Sequence, residues 1–166
     1  MDSHACIIDG ARLHQGKRFT FRHNDIESFE KNLQRAVKIA EETGGGVLVI
    51  SEGVFGMRGE QGKLKEICAL KEKYNFRLLV DDAHGFGVLG ENGRGSLSHH
   101  RAAFTQNGLD DALASRLVYM ATLGKAAGVA GAFVAGSTDM IEWLLQKGRT
   151  YIFTTAAPPA PCPYPL

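Results

Sequence analysis

The sequence predicts an α/β fold in which a mostly parallel sheet carries helices on both faces. Three observations predict it. Short apolar runs of strand length recur at Val47-Leu48-Val49-Ile50, Arg77-Leu78-Leu79-Val80 and Leu117-Val118-Tyr119-Met120. Longer stretches with apolar residues at helical spacing precede the first two. Glycines stand where helix hands over to strand, most clearly Gly44-Gly45-Gly46. Such alternation builds helix–strand units, and near-continuous apolar strands belong in a parallel sheet covered on both sides.

The elements follow in order. Ser3-His4-Ala5-Cys6-Ile7-Ile8-Asp9-Gly10 reads as a short helical turn or loop, and Lys17-Arg18-Phe19-Thr20-Phe21 alternates as a short strand does. Asn24 and Asp25 can cap a helix whose inward face is Ile26, Phe29, Leu33, Val37 and Ala40, and which the three glycines stop. After a loop over residues 51–62, Leu64, Ile67 and Cys68 begin a second amphipathic helix that leads to the strand at 77–80. Residues 88–116 are weakly periodic and read as a loop with one helical piece. The third strand is 117–120 and the fourth is Gly131-Ala132-Phe133-Val134-Ala135-Gly136. A helix over 140–147 turns Ile141, Leu144 and Leu145 inward, and Tyr151-Ile152-Phe153-Thr154 makes a fifth strand. Prolines at 158, 159, 161, 163 and 165 break the end into an irregular tail.

Composition excludes several function classes. With 166 residues, 44% hydrophobic and 22% charged, the chain has the make-up of one soluble globular domain and the length to bury a core. A formal net charge of +1, with Lys and Arg dispersed among acids, supplies no basic field, so no nucleic-acid partner is expected. Cys6, Cys68 and Cys162 are odd in number and form no Cys-x-x-Cys pair, which points to a reducing cytoplasm and away from a disulfide framework. No run reaches the roughly 18 apolar residues of a membrane helix, and no leader opens the chain, so neither a span nor export is expected.

The chemistry-bearing residues cluster in Val80-Asp81-Asp82-Ala83-His84-Gly85-Phe86-Gly87, with a lone lysine in Thr122-Leu123-Gly124-Lys125-Ala126. A strand that ends in two carboxylates and an imidazole places them at the carboxyl edge of a parallel sheet, where α/β proteins bind ligands. Asp81 could hold a proton on a ring nitrogen, His84 could bond a ring hydroxyl, and Lys125 could supply an amine for a Schiff base. Those are three roles that pyridoxal phosphate asks of its protein. The same Asp-Asp-x-His spacing suits a metal-ligand pair or a solvated strand end, and spacing alone does not separate the three. His99-His100 has no third ligand nearby and reads as a solvated loop, so no metal site is expected. Gly128-Val129-Ala130-Gly131 lacks the Gly-x-Gly-x-x-Gly order of a dinucleotide loop.

The order and spacing of seven pieces resemble the α-oxoamine synthases. They are Ser3-His4-Ala5, Arg22-His23-Asn24-Asp25, Glu52-Gly53-Val54-Phe55, Asp81-Asp82-Ala83-His84-Gly85, Gly93-Arg94-Gly95, Thr122-Leu123-Gly124-Lys125 and Tyr151-Ile152-Phe153-Thr154-Thr155. The resemblance runs nearly to Ala160 and weakens between about Ser96 and Ser115. It implies the central part of a fold-type I pyridoxal phosphate-dependent transferase large domain, working as a homodimer. The implied reaction joins an amino acid to an acyl-CoA or acyl-carrier thioester, with loss of carbon dioxide in most members.

Carried over residue by residue, the resemblance makes Lys125 the lysine that holds the cofactor and later moves protons at the substrate α-carbon. Asp81 is similar to the partner of the pyridine nitrogen, His84 to the histidine near the ring hydroxyl, and His4 to the catalytic histidine that stacks on the ring. Thr122 resembles the hydroxyl that contacts the cofactor phosphate. Thr154 and Thr155 resemble residues that reach a phosphate across the dimer interface.

Two departures accompany the likeness. Gly56 and Arg58 stand where many relatives have Ser and Asp, which replaces a hydroxyl and a carboxylate near the cofactor region. The other departure is extent. Residues 1–160 resemble part of the cofactor domain and 161–166 a tail, so an amino-terminal segment and a carboxyl-terminal small domain are expected to be absent and the chain to be an inactive fragment. Within the family, Thr122 to Ala132 and Tyr151 to Pro159 look most like members that join alanine to a pimeloyl thioester in biotin biosynthesis. Members that use glycine or serine, and a non-catalytic remnant, are the alternatives.

Overall fold

The computed structural model describes residues 2–101, 104–105, 108–109 and 115–156. Helix α1 (Ala5–Leu13) starts at His4, whose ring nitrogen accepts the Cys6 N–H. Helix α2 (Ile26–Thr43) is capped at both ends, as its sequence requires. Asp25 accepts the Ser28 N–H at 2.8 Å, and Gly44, in the left-handed region at φ 69°, returns its N–H to the Ala40 carbonyl. Strand β1 (Leu48–Glu52) follows, then the hairpin of β2 (Val54–Phe55) and β3 (Glu60–Gln61). Helix α3 (Leu64–Ala69) leads to β4 (Arg77–Asp81).

A 3-10 turn (Glu91–Gly93) and helix α4 (Ser96–His100) come next, then the two-residue strands β5 (Phe104–Thr105) and β6 (Gly108–Leu109), paired antiparallel. Strand β7 (Leu117–Thr122), strand β8 (Ala132–Ala135), helix α5 (Thr138–Lys147) and helix α6 (Arg149–Ile152) complete the described chain.

The main sheet has the order β1-β4-β7-β8. Its first three strands are parallel and β8 is antiparallel to β7, so the sheet is mostly parallel as the apolar runs imply. Leu78 and Val80 of β4 are wholly buried and meet Phe29 and Leu33 of α2 with Leu64, Ile67 and Cys68 of α3 in one cluster. Burial pushes the Cys68 thiol up to about 11, so it packs as an apolar group. On the alternate side Ile50 and Leu79 stay half-buried.

Several expectations are corrected. Lys17-Arg18-Phe19-Thr20-Phe21 forms no strand. Its alternation reflects packing instead, with Phe21 edge-on to Phe29 at 5.0 Å, Phe19 under the Arg35 guanidinium, and Arg18 donating to the carbonyls of Ala11, Arg12 and His14. Residues 51–62 contain the end of β1 and a hairpin in addition to loop. Tyr151-Ile152-Phe153-Thr154 is not a fifth strand, because Tyr151, Ile152 and Phe153 make local helical bonds to Gly148 and Arg149. Helix α5 buries none of its residues, so Leu145 does not face a core. His99-His100 is the last turn of α4, its rings edge-on at 4.9 Å, and not a solvated loop. The proline-broken tail and Cys162 lie outside the described residues.

Candidate functional site

Register builds the site. Glu52 pairs with Asp81 across β1 and β4, and Asp81 with Met120 across β4 and β7, so the carboxyl ends of three parallel strands deliver Glu52, Asp81 and Thr122 to one sheet edge. Side chains just beyond these ends share that edge. His84 follows Asp81 by three residues and Lys125 follows Thr122 by three, and the Lys125 amine meets His84 Nε2 at 2.9 Å.

The loop between β4 and α4 is fixed by Asp82. This carboxylate is fully buried and takes three donors: the Ser96 N–H at 2.7 Å, the Ser96 hydroxyl, and the Tyr119 hydroxyl at 2.6 Å. Burial, then the bond to Asp82, drives the Tyr119 phenol far above its ordinary value. Asp81 is also buried, yet among the described residues its side chain takes only the Ala83 N–H at 3.0 Å, which leaves acceptor capacity at the sheet edge. The adjacent carboxylates therefore divide the work, with Asp82 a structural knot and Asp81 available to a ligand. Gly87, at φ 78°, lets this loop approach the lysine turn, since a Cβ there would lie 2.7 Å from that of Ala126.

His84 is half-buried, and burial followed by the neighbouring Lys125 charge lowers its pKa below the ordinary imidazole value. Its ring lies so close to Gly56 that a Cβ at 56 would overlap Nε2. Gly56 thus leaves the room in which His84 reaches Lys125. Arg58 is exposed in the turn between β2 and β3.

His4 is brought to the same edge by Glu52, whose Oε1 accepts the His4 backbone N–H at 2.7 Å. Burial, opposed by that bond and reinforced by the Asp81 charge, holds the Glu52 carboxyl above its ordinary pKa. In the sequence Glu52 stands out only as part of the Glu52-Gly53-Val54-Phe55 motif. Its signal was a carboxylate at the end of an apolar strand, the same signal that singled out Asp81.

The expected site residues are thus gathered in part. His4, Asp81, His84 and Lys125 come together. Thr122 lies at the end of β7, where its hydroxyl donates to the Gly131 carbonyl at 3.2 Å and accepts the Gly124 N–H at 3.3 Å, shaping the lysine turn. Thr154 and Thr155 follow α6, exposed, and among the described residues no hydrogen bond ties them to the cluster. Among the described residues, no three His, Cys, Asp or Glu side chains converge as metal ligands, and no helix is long and apolar enough to cross a membrane.

An amine against an imidazole beside a buried carboxylate can bind a carbonyl covalently and hold a charge on a ring. Known proteins share this frame. A Capnocytophaga ochracea cysteate-C-fatty acyltransferase is 58% identical over 158 residues, 95% of this chain and 35% of that protein. A Delftia acidovorans 8-amino-7-oxononanoate synthase is 52% identical over 158 residues, 95% of this chain and 36% of that protein. Among solved structures, a Sphingomonas wittichii serine palmitoyltransferase superposes with a TM-score of 0.79 at 35% identity, covering 96% of this chain and 36% of that one. The chain therefore spans about a third of the length of the curated relatives it matches. The sequence profile of aminotransferase class I and II matches residues 2–161, and the chain belongs to that family.

Proposed function

We propose that this chain carries the cofactor centre of a pyridoxal 5′-phosphate-dependent acyltransferase that condenses an amino acid with an acyl thioester and releases carbon dioxide. The observation that carries the reading is the 2.9 Å contact of Lys125 with His84 beside buried Asp81 at the carboxyl edge of the sheet. The donor set fits the cofactor, with an amine for its aldehyde, a carboxylate for its ring nitrogen, one imidazole for its hydroxyl and a second for its face. When bound, the cofactor supplies an electron sink for the substrate α-carbon.

The chain's own residues do the rest. Asp81 would hold a proton on the ring nitrogen, and His84, whose pKa burial lowers, would orient the ring hydroxyl. Lys125 Nζ would hold the cofactor through its aldehyde and, once released, would be the base within reach of the substrate α-carbon. His4 would stack on the ring, and Thr122 would contact the phosphate. A homodimer in which Thr154 and Thr155 reach the partner's phosphate, and residues 1–160 as part of a larger cofactor domain, belong to the same reading.

Borohydride reduction with pyridoxal 5′-phosphate followed by peptide mapping tests it. The pyridoxyl label should fall on Lys125. A label on Lys71, whose amine is buried and bonded to the Arg116 carbonyl, or on Lys147, with Lys125 unmodified, would remove the reading. Failure to take up cofactor at all would favour a non-catalytic chain.

Alanine and a pimeloyl-type thioester, the substrates of biotin synthesis in the cytoplasm, are supported by 45–52% identity to several 8-amino-7-oxononanoate synthases. The 58% identity to a cysteate-C-fatty acyltransferase favours a second reading, cysteate with a fatty acyl thioester. Likeness to serine palmitoyltransferase keeps serine in the comparison. Thiol release measured with alanine, cysteate, serine and glycine, each against pimeloyl and palmitoyl thioesters, ranks these substrates.

A further inference from the structure

The amino-terminal segment before α1 has few ways to hold a fixed place. His4 is exposed, α1 buries none of its residues, and the ring of His4 is spent on its own helix, where Nδ1 accepts the Cys6 N–H at 3.3 Å. Among the described residues two contacts nevertheless hold this segment, one to the turn before α2 and one to the sheet edge. Asp2 lies 3.5 Å from His23 Nδ1, and the His4 N–H donates to Glu52 at 2.7 Å. The second bond is the shorter, and its acceptor is a side chain only 3% exposed.

Glu52 is an unusual residue to bury. It ends β1 beside Asp81, its register partner, so two carboxylates share one corner of the sheet. A carboxylate placed there for stability alone would be better replaced by an apolar side chain, because burying a charge costs more than one hydrogen bond returns. The position gives it reach in two directions, toward the His4 backbone and toward the corner that holds Asp81, His84 and Lys125. Burial first and then the Asp81 charge raise its pKa, and the bond from the His4 N–H opposes them.

We propose that Glu52 is the positioning residue of this site, fixing His4 over the cofactor ring through the His4 backbone N–H. The proposal rests on the reading that His4 stacks on the cofactor. Glu52 touches neither cofactor nor substrate in this role and acts through His4.

The test compares the full chain as wild type, Glu52→Gln, Glu52→Ala, His4→Ala and the Glu52→Ala/His4→Ala double variant. Three quantities are measured: exchange of the His4 backbone amide without cofactor, the dissociation constant of pyridoxal 5′-phosphate, and the induced circular dichroism of the bound cofactor. Loss of one hydrogen bond to a carboxylate should speed His4 amide exchange in Glu52→Ala by roughly tenfold or more. Glu52→Ala should weaken cofactor binding about as much as His4→Ala and give the same dichroism, with no further loss in the double variant, as expected of two residues acting as one unit.

Glu52→Gln keeps an acceptor oxygen and should restore all three quantities to near wild type. Unchanged His4 exchange in Glu52→Ala, a Glu52→Gln as impaired as Glu52→Ala, or multiplying losses in the double variant would overturn the proposal. Should Glu52→Ala not fold, Glu52→Asp, which withdraws the carboxylate by one methylene, takes its place in each comparison. A wild-type chain that binds no cofactor would overturn the reading of the site, and His4 exchange would then decide separately whether Glu52 holds the segment.

Discussion

Asp81 and Asp82 show how a single peptide bond separates function from architecture. Asp82 satisfies Ser96 and Tyr119, so its loss would strand buried donors from two elements. Asp82→Ala should cost about 2–4 kcal/mol and Tyr119→Phe about 1 kcal/mol in urea denaturation, and equal effects would contradict the hub role of Asp82. Glu52 gives a pH signature. Its folded pKa is raised, so the folded state binds its proton more tightly than the unfolded chain does. Stability from this group is therefore fully present below the ordinary carboxylate value of 4.5 and is lost as pH rises through the folded value. Measured by denaturation from pH 4 to 8, wild type should lose stability relative to Glu52→Gln as pH rises. A flat difference would show that burial does not govern this carboxylate.

Helix α2 was legible from its sequence because its signals are local. Asp25 and Gly44 occupy the two cap positions, and Phe29 and Leu33 fall on the buried face at the expected spacing. Asp25→Ala should cost about 1 kcal/mol through its lost bond to the Ser28 N–H, and Gly44→Ala about 1 kcal/mol through the left-handed φ. Thermal denaturation measures both, and unaltered midpoints would mean that tertiary packing alone holds the helix. Tyr151-Ile152-Phe153-Thr154 was misread for the opposite reason. Aromatic and β-branched residues favour a strand only when a neighbouring strand is present to pair with, and here the segment follows α5 closely and takes local helical bonds instead.

At the scale of the molecule, the strands β1 and β8 edge the four-stranded sheet, and apolar side chains stand in water beside its last helices. Trp143 is 63% exposed and Phe153 71% exposed, with Tyr151 and Leu48 also exposed. Surface of this kind promotes association. Sedimentation velocity should show concentration-dependent oligomers that Trp143→Gln with Phe153→Gln reduces, and a monomer at all concentrations would remove the prediction.

The sequence by itself determined the alternation of helices with parallel strands, the caps of α2, and the position of Asp81 at a strand end with His84 just beyond it, because periodicity, capping and motif order are written in neighbouring residues. Tertiary structure decided which carboxylate of the Asp-Asp pair is structural, that Gly56 makes room for His84, and that Glu52 holds His4 across 48 positions of chain. Those choices depend on strand register, which sets side chains from distant segments beside one another and so lies beyond what a linear pattern can specify.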